Sequence, residues 1–175
     1  MRYYIHIALP AKLSKEVSTI EKRYQGNSRS KPHITILHPR KICADTSEKK
    51  LIDAVGSAVK KIAPFEIIQA GLGYFDKKKV IFIGIERTRE LASCHEAIVR
   101  ATRKLLQPLD SYYSNMPNPH ISLVARLSPL AGDRIWKILK DKSFPGKFLC
   151  DKITLLRIEK GNKRWKKVVT FVLGG

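Results

Sequence analysis

A chain of 175 residues with 43% hydrophobic residues spread along its length can bury a substantial core, which excludes a disordered or fibrous protein. Its formal net charge of +19, from 34 Lys and Arg against 15 Asp and Glu, points to an anionic partner, nucleic acid before any other. No apolar run approaches a membrane span, the opening MRYYIHIALP is too short and polar for a signal-peptide core, and no helix sets an aromatic face against a basic one, so a soluble cytoplasmic protein with no membrane attachment is expected.

Taken in chain order, Arg2 to Leu9 is rich in aromatic and β-branched residues and reads as a strand stopped by Pro10. A short helix follows from about Ala11 to Tyr24, then a basic polar loop over Gln25 to Pro32. His33 to Leu37 reads as a strand. Asp45 and Glu48 form a candidate capping pair before a helix carrying Leu51, Ile52, Val55, Val59 and Ile62, ended by Pro64. Phe65 to Ala70 and Val80 to Glu86 read as a hairpin joined by the Gly-rich, Lys-rich segment GLGYFDKKK, and VIFIGI is apolar enough for a central strand. Glu90 to Leu106 reads as a helix and Asp110 to Pro119 as a polar loop. His120 to Arg126 reads as a strand, and Ser128-Pro129 as N-cap and first residue of a helix to about Lys140. Two strands, Phe148 to Ile158 and Trp165 to Leu173, flank a turn at Gly161 and Asn162. The architecture is α+β.

The chain contains one short internal repeat, KPHITIL at Lys31 to Leu37 and NPHISLV at Asn118 to Val124, with its histidines half the chain apart. Each copy follows a polar loop and precedes a loop and a helix, so two related lobes in one domain spanning 1–175 are the simplest account. Side chains alternate along a strand, so His33 shares a face with Thr35 and His120 with Ser122, opposite the apolar Ile34, Ile36, Ile121 and Leu123. Pro32 and Pro119 mark strand beginnings and leave each histidine near an open end. Cleaving a phosphodiester without a metal needs a base, an acid and donors for the nonbridging oxygens. His33 and His120 can fill the first two roles near neutral pH, and Thr35 and Ser122 the third. Arg126 lies at even spacing from His120 and shares its face provided the strand persists.

These residues resemble the 2H phosphoesterase superfamily, named for paired H-x-[ST] motifs, and within it the LigT-like RNA 2′,3′-cyclic phosphodiesterases also called 2′-5′ RNA ligases. The resemblance extends over nearly the whole chain, through the first strand, both motifs, the Gly-Leu-Gly-Tyr-Phe segment and the closing basic hairpin; it departs at Ala125, where that subgroup usually has Arg. It implies a bilobal fold of two pseudo-symmetric lobes of antiparallel sheet with outer helices around a central cleft. It implies opening of a 2′,3′-cyclic phosphate to a 2′-phosphate without a metal, reversible 2′-5′ ligation, His33 as general acid and His120 as base.

The remaining candidates read more plainly. Tyr74 and Phe75 could stack on a base or pack beside their glycine turn. Trp165 reads as cross-strand packing on the basic hairpin, His6 as a strand histidine whose strand could border the cleft, His38 as structural on the opposite strand face, and His95 as helix surface. HEAIV lacks the second histidine of HExxH, and Cys43, Cys94 and Cys150 lack any CxxC, so they read as buried thiols with no zinc. No Walker loop or dinucleotide fingerprint is present, so no cofactor is expected, and no obligate protein partner is evident. RNA or a nucleotide phosphodiester is the expected partner. The competing readings are a noncatalytic RNA- or nucleotide-binding module and a phosphoesterase for small nucleotides such as ADP-ribose 1″,2″-cyclic phosphate or 2′-5′ oligoadenylate.

Overall fold

The computed structural model describes residues 1–26, 30–108, 118–162 and 164–175; Arg29, most of the loop expected over Asp110 to Pro119, and Lys163 lie outside them. Its strands and helices run β1 (Arg2–Ala8), α1 (Ala11–Arg23), β2 (His33–Lys41), α2 (Glu48–Val59), β3 (Phe65–Phe75), β4 (Val80–Ile85), α3 (Arg89–Thr102), β5 (His120–Val124), α4 (Pro129–Leu139), β6 (Lys147–Cys150), β7 (Lys152–Ile158) and β8 (Lys166–Val172). The strands form one curled antiparallel sheet in the order β6-β3-β4-β5-β2-β1-β7-β8. Counted outward from its centre, β5-β4-β3-β6 mirrors β2-β1-β7-β8. A pseudo-twofold axis therefore passes between the two motif strands, and the α+β, two-lobed expectation holds.

The alternation of the sequence explains which face is covered. Ile5, Ile7, Ile34, Ile36, Ile81, Ile83, Ile121 and Leu123 are at most 1% exposed, under helices whose Leu51, Val55, Leu91 and Ile98 are equally buried. Each such side chain contributes on the order of 1.5–3 kcal/mol by leaving water. His33 and His120 lie on the opposite, concave face.

Both motif strands carry the same irregularity. Ile36 and Leu37 are buried consecutively, where the β1–β2 register shifts between Ile5↔Leu37 and His6↔Thr35. Leu123 and Val124 are buried consecutively, where the β4–β5 register shifts between Ile81↔Val124 and Phe82↔Ser122. An extra residue flips the side-chain parity of everything after it. His38 therefore lies on the same face as His33 and Thr35, not the opposite one; a second shift, between Tyr3↔Arg40 and Ile5↔Leu37, flips the parity again and turns Arg40 under the sheet, where it donates to the carbonyls of Leu106 and Gln107.

Other boundaries also differ from expectation. The segment Phe148 to Ile158 is two strands parting at Asp151: β6 pairs with β3 from Phe65↔Cys150 to Ile68↔Lys147, and β7 pairs with β1. Each lobe has an open outer edge, and one apolar segment divides to cover both. Gly71 to Phe75 belongs to β3, so the connection to β4 shrinks to the 3-10 turn Asp76–Lys78 and Lys79 at φ 48°. His95 is only 2% exposed, because α3 buries the row Leu91, Cys94, His95, Ile98, Thr102. Cys43 is half-buried, whereas Cys94 and Cys150 are buried.

Ser47 caps α2, accepting from the Lys50 amide at 3.2 Å, so Asp45 is not the cap. Glu48 is instead released for tertiary contact: it accepts from the Tyr3 hydroxyl at 2.9 Å and from Arg157 at 2.9 and 3.0 Å. Burial and this carboxylate push the Tyr3 hydroxyl pKa up to about 12. Glu48→Ala strands two partners and should cost about 1–3 kcal/mol, read as a lower urea midpoint.

Candidate active site

At the centre of the sheet β2 and β5 meet antiparallel, with Ile34 and Ile121 as Cα partners. Extending that register by one residue in each direction sets His33 opposite Ser122 and Thr35 opposite His120. On that register each histidine lies across from the hydroxyl-bearing residue of the other motif, on strands whose one described pairing is Ile34↔Ile121. His33 and Ser122 line one cavity of about 210 Å³ together with Ser30, Lys31, Ala125 and Arg126. All four motif side chains are half-buried.

The two imidazoles are held identically. His33 Nδ1 lies 2.8 Å from the Lys31 carbonyl and His120 Nδ1 2.8 Å from the Asn118 carbonyl, each two residues upstream. A carbonyl only accepts, so Nδ1–H donates and the proton of each neutral ring resides there. That leaves both Nε2 lone pairs to accept or return a proton. X-Pro geometry supports the arrangement: Pro32 and Pro119 hold the preceding residue extended, which turns its carbonyl toward the histidine.

The walls around the rings differ between lobes. His33 is bordered from β1 by His6, ring centroids 5.0 Å apart, and by Tyr4 at 5.6 Å, itself capped edge-on by Trp165 at 4.4 Å. The Tyr4 hydroxyl lies 3.3 Å from His6 Nδ1. His120 is bordered by Phe75 at 5.0 Å and Phe82 at 5.3 Å, two rings stacked at 4.2 Å. His6 pairs with Thr35 and Phe82 with Ser122, so His6 and Phe82 occupy equivalent positions of the two lobes. Among the described residues no group of three His, Cys, Asp or Glu is placed to hold a metal ion.

Burial lowers the pKa of every histidine facing the cleft. For His33 it outweighs the Lys31 carbonyl, which works the other way, and His120 adds repulsion; for His120 burial is joined by Lys78. His6 falls to about 4 through burial and the neighbouring His33, and His38 to about 4 through burial and then His120, Lys78, His95 and His33.

Of the remaining sequence candidates, Arg126 reaches the cavity by another route than alternation. β5 ends at Val124, and Arg126 sits in left-handed backbone at φ 62°, yet it lines the same space as His33 and Ser122. Tyr74 and Phe75 separate: Phe75 touches His120, whereas Tyr74 stacks on Trp136 of α4 at 5.6 Å and donates to Asp133 at 2.7 Å. Trp165, expected as a cross-strand packing residue of the closing hairpin, lies just before β8 and packs instead against Tyr4 of β1, with β7 between the two strands. Sequence reasoning understates His6 and overlooks Phe82, whose positions emerge only from strand register. Gly73, the cross-strand partner of Phe82, has no room for a Cβ, which would overlap the Phe82 ring. Gly73→Ala should cost about 1–3 kcal/mol, read as a lower Tm, and should lower turnover by pressing Phe82 onto His120.

Comparison with known proteins supports the same fold. The chain aligns over its whole length with TT0787 of Thermus thermophilus, at TM-score 0.73 and 17% identity, covering 100% of this chain and 99% of that one. It aligns with Escherichia coli LigT complexed with 3′-AMP at TM-score 0.68 and 17% identity, covering 98% and 97%. Usb1 of Kluyveromyces marxianus is more distant, at TM-score 0.51 and 13% identity over 98% of each chain. No curated protein matches the sequence. Residues 9–162 match the family model described as the 2′-5′ RNA ligase superfamily, and the chain belongs to that superfamily of LigT-like 2H phosphoesterases.

Proposed function

We propose that this protein is a metal-independent phosphodiesterase that opens RNA ends bearing a 2′,3′-cyclic phosphate, with His33 and His120 as its acid/base pair. The observation that carries the reading is the twin geometry: two histidines, fixed by identical Nδ1–carbonyl bonds, each facing the hydroxyl of the other's motif. Opening to a 2′-phosphate requires water to attack phosphorus, the P–O3′ bond to break, and O3′ to leave with a proton. His120 Nε2 takes the proton from water as the new P–O bond forms, and protonated His33 Nε2 delivers one to O3′. Thr35 and Ser122 donate to the nonbridging oxygens, and Arg126 offsets their charge. Phe75 presents a ring face on which a terminal base can stack. With a 5′-hydroxyl in place of water, His120 takes the hydroxyl proton as the new P–O5′ bond forms and His33 protonates the departing O3′, which leaves a 2′-5′ linkage; run backwards, the same transfers cleave that linkage and regenerate the cyclic phosphate.

The experiment is incubation of the protein in EDTA with RNA ended by a 2′,3′-cyclic phosphate, with the products resolved. A 2′-phosphate is expected; a 3′-phosphate would reverse the assignment of leaving oxygen, and an unopened substrate would overturn the reading.

A further inference from the structure

The two lobes stop being equivalent just beyond the bulges. In the first lobe β2 continues to Lys41 and Arg40 ties it to the chain after α3. In the second lobe β5 ends at Val124 and the chain leaves the sheet through the left-handed Arg126. Beside this exit lies a second cavity of about 570 Å³, bounded by the end of α1 and the first turns of α4. Arg23, Arg126 and Arg134 line it over a partly apolar floor that includes Tyr24, Ile135 and Ile138.

Three features give this cavity a chemistry. It shares Arg126 with the 210 Å³ cavity of His33 and Ser122, so the two spaces adjoin. No carboxylate lines it, and among the described residues none of its three arginines is ion-paired; Arg23 lies over the Tyr24 ring at 5.8 Å. Three guanidiniums that line one cavity with no carboxylate in its lining suit a polyanionic ligand. Ile138, 53% exposed, and Tyr24 add surface suited to a sugar or base edge rather than to an inorganic ion alone.

We infer that this cavity is a subsite for the nucleotide next to the reacting phosphate, with Arg23 and Arg134 holding that nucleotide's own phosphate. The inference rests on the proposed function, in which His33, Ser122 and Arg126 all act on the reacting phosphate. It makes the preferred substrate an oligonucleotide with a second phosphodiester, in place of a mononucleotide. Arg126, reaching both cavities, would sit between successive phosphates of one strand.

Binding separates this subsite from the chemistry. The dissociation constants of a nucleoside 2′-phosphate and of a dinucleotide ending in a 2′-phosphate are to be measured by calorimetry, for wild type and for Arg23→Ala/Arg134→Ala. In wild type the second nucleotide should tighten binding at least tenfold. The double variant should lose most of that gain and still bind the mononucleotide as wild type does, which also shows that it is folded. A second nucleotide that adds nothing in wild type, or a gain that survives in the variant, would overturn the subsite. The expected pattern seen in a protein that opens no cyclic phosphate would keep the subsite and overturn the phosphodiesterase reading alone.

Discussion

His33→Ala and His120→Ala should each lower the opening of 2′,3′-cyclic-phosphate RNA by roughly 10² to 10⁴-fold, the usual loss when a positioned acid or base is removed. The two substitutions together should cost little more than either alone, because an acid and a base acting in one step fail as a unit. Neither should unfold the protein: both side chains are half-buried on the concave face, and the packed interior lies on the other side of the strands. Register makes a sharper demand. His33 stands opposite Ser122 and His120 opposite Thr35, so double-mutant cycles in kcat/KM should show coupling across the strands. Coupling only within a motif, His33 with Thr35 and His120 with Ser122, would mean that the two motifs bind separate phosphates. Full activity in either alanine variant would remove histidine catalysis altogether.

The central pair of strands can be read from the chain because two kinds of local information agree there. A proline, a histidine and an alternating apolar run recur at half-chain spacing, and alternation assigns faces without any knowledge of neighbours. The same logic fails at the fifth residue of both copies, Leu37 and Val124. Nothing in ILHP or LVAR announces a bulge, since two consecutive apolar residues fit equally an uninterrupted buried strand. Alternation therefore assigns His38 to the wrong face, and Arg126 to the right cavity through a strand that ends before reaching it. The division of Phe148 to Ile158 into β6 and β7 is likewise invisible locally, because it answers to two sheet edges made by residues far away in sequence. His6 and Phe82 are equivalent by pairing, not by any shared letter. Pairing is the information a single sequence withholds.

The shifted histidines predict opposite pH responses for activity and for stability. Catalysis requires one of His33 and His120 protonated and the other neutral, and both are lowered from 6.5. The kcat/KM profile of the free enzyme should therefore peak on the acid side of pH 6.5. Above its higher apparent pKa, kcat/KM should fall about tenfold per unit, as the pair loses its shared proton. A bound phosphate favours the protonated ring, so the kcat profile should extend to higher pH than kcat/KM. Stability runs the other way. Folded His6 and His38 resist protonation until about pH 4, while the unfolded chain takes protons near 6.5. The unfolded state then binds more protons throughout that window, so stability should climb from pH 4 to 6.5 and level off above it. At about 1.4 kcal/mol per unit, each histidine contributes up to roughly 3 kcal/mol. His6→Phe, which copies the ring at the equivalent Phe82 position, should flatten this acid dependence in urea titrations at pH 5 and 7. An unchanged slope would place the acid-labile groups elsewhere. With wild type, the pH that favours the catalytic proton is the pH at which His6 and His38 pull the fold apart, and the usable range lies between those two demands.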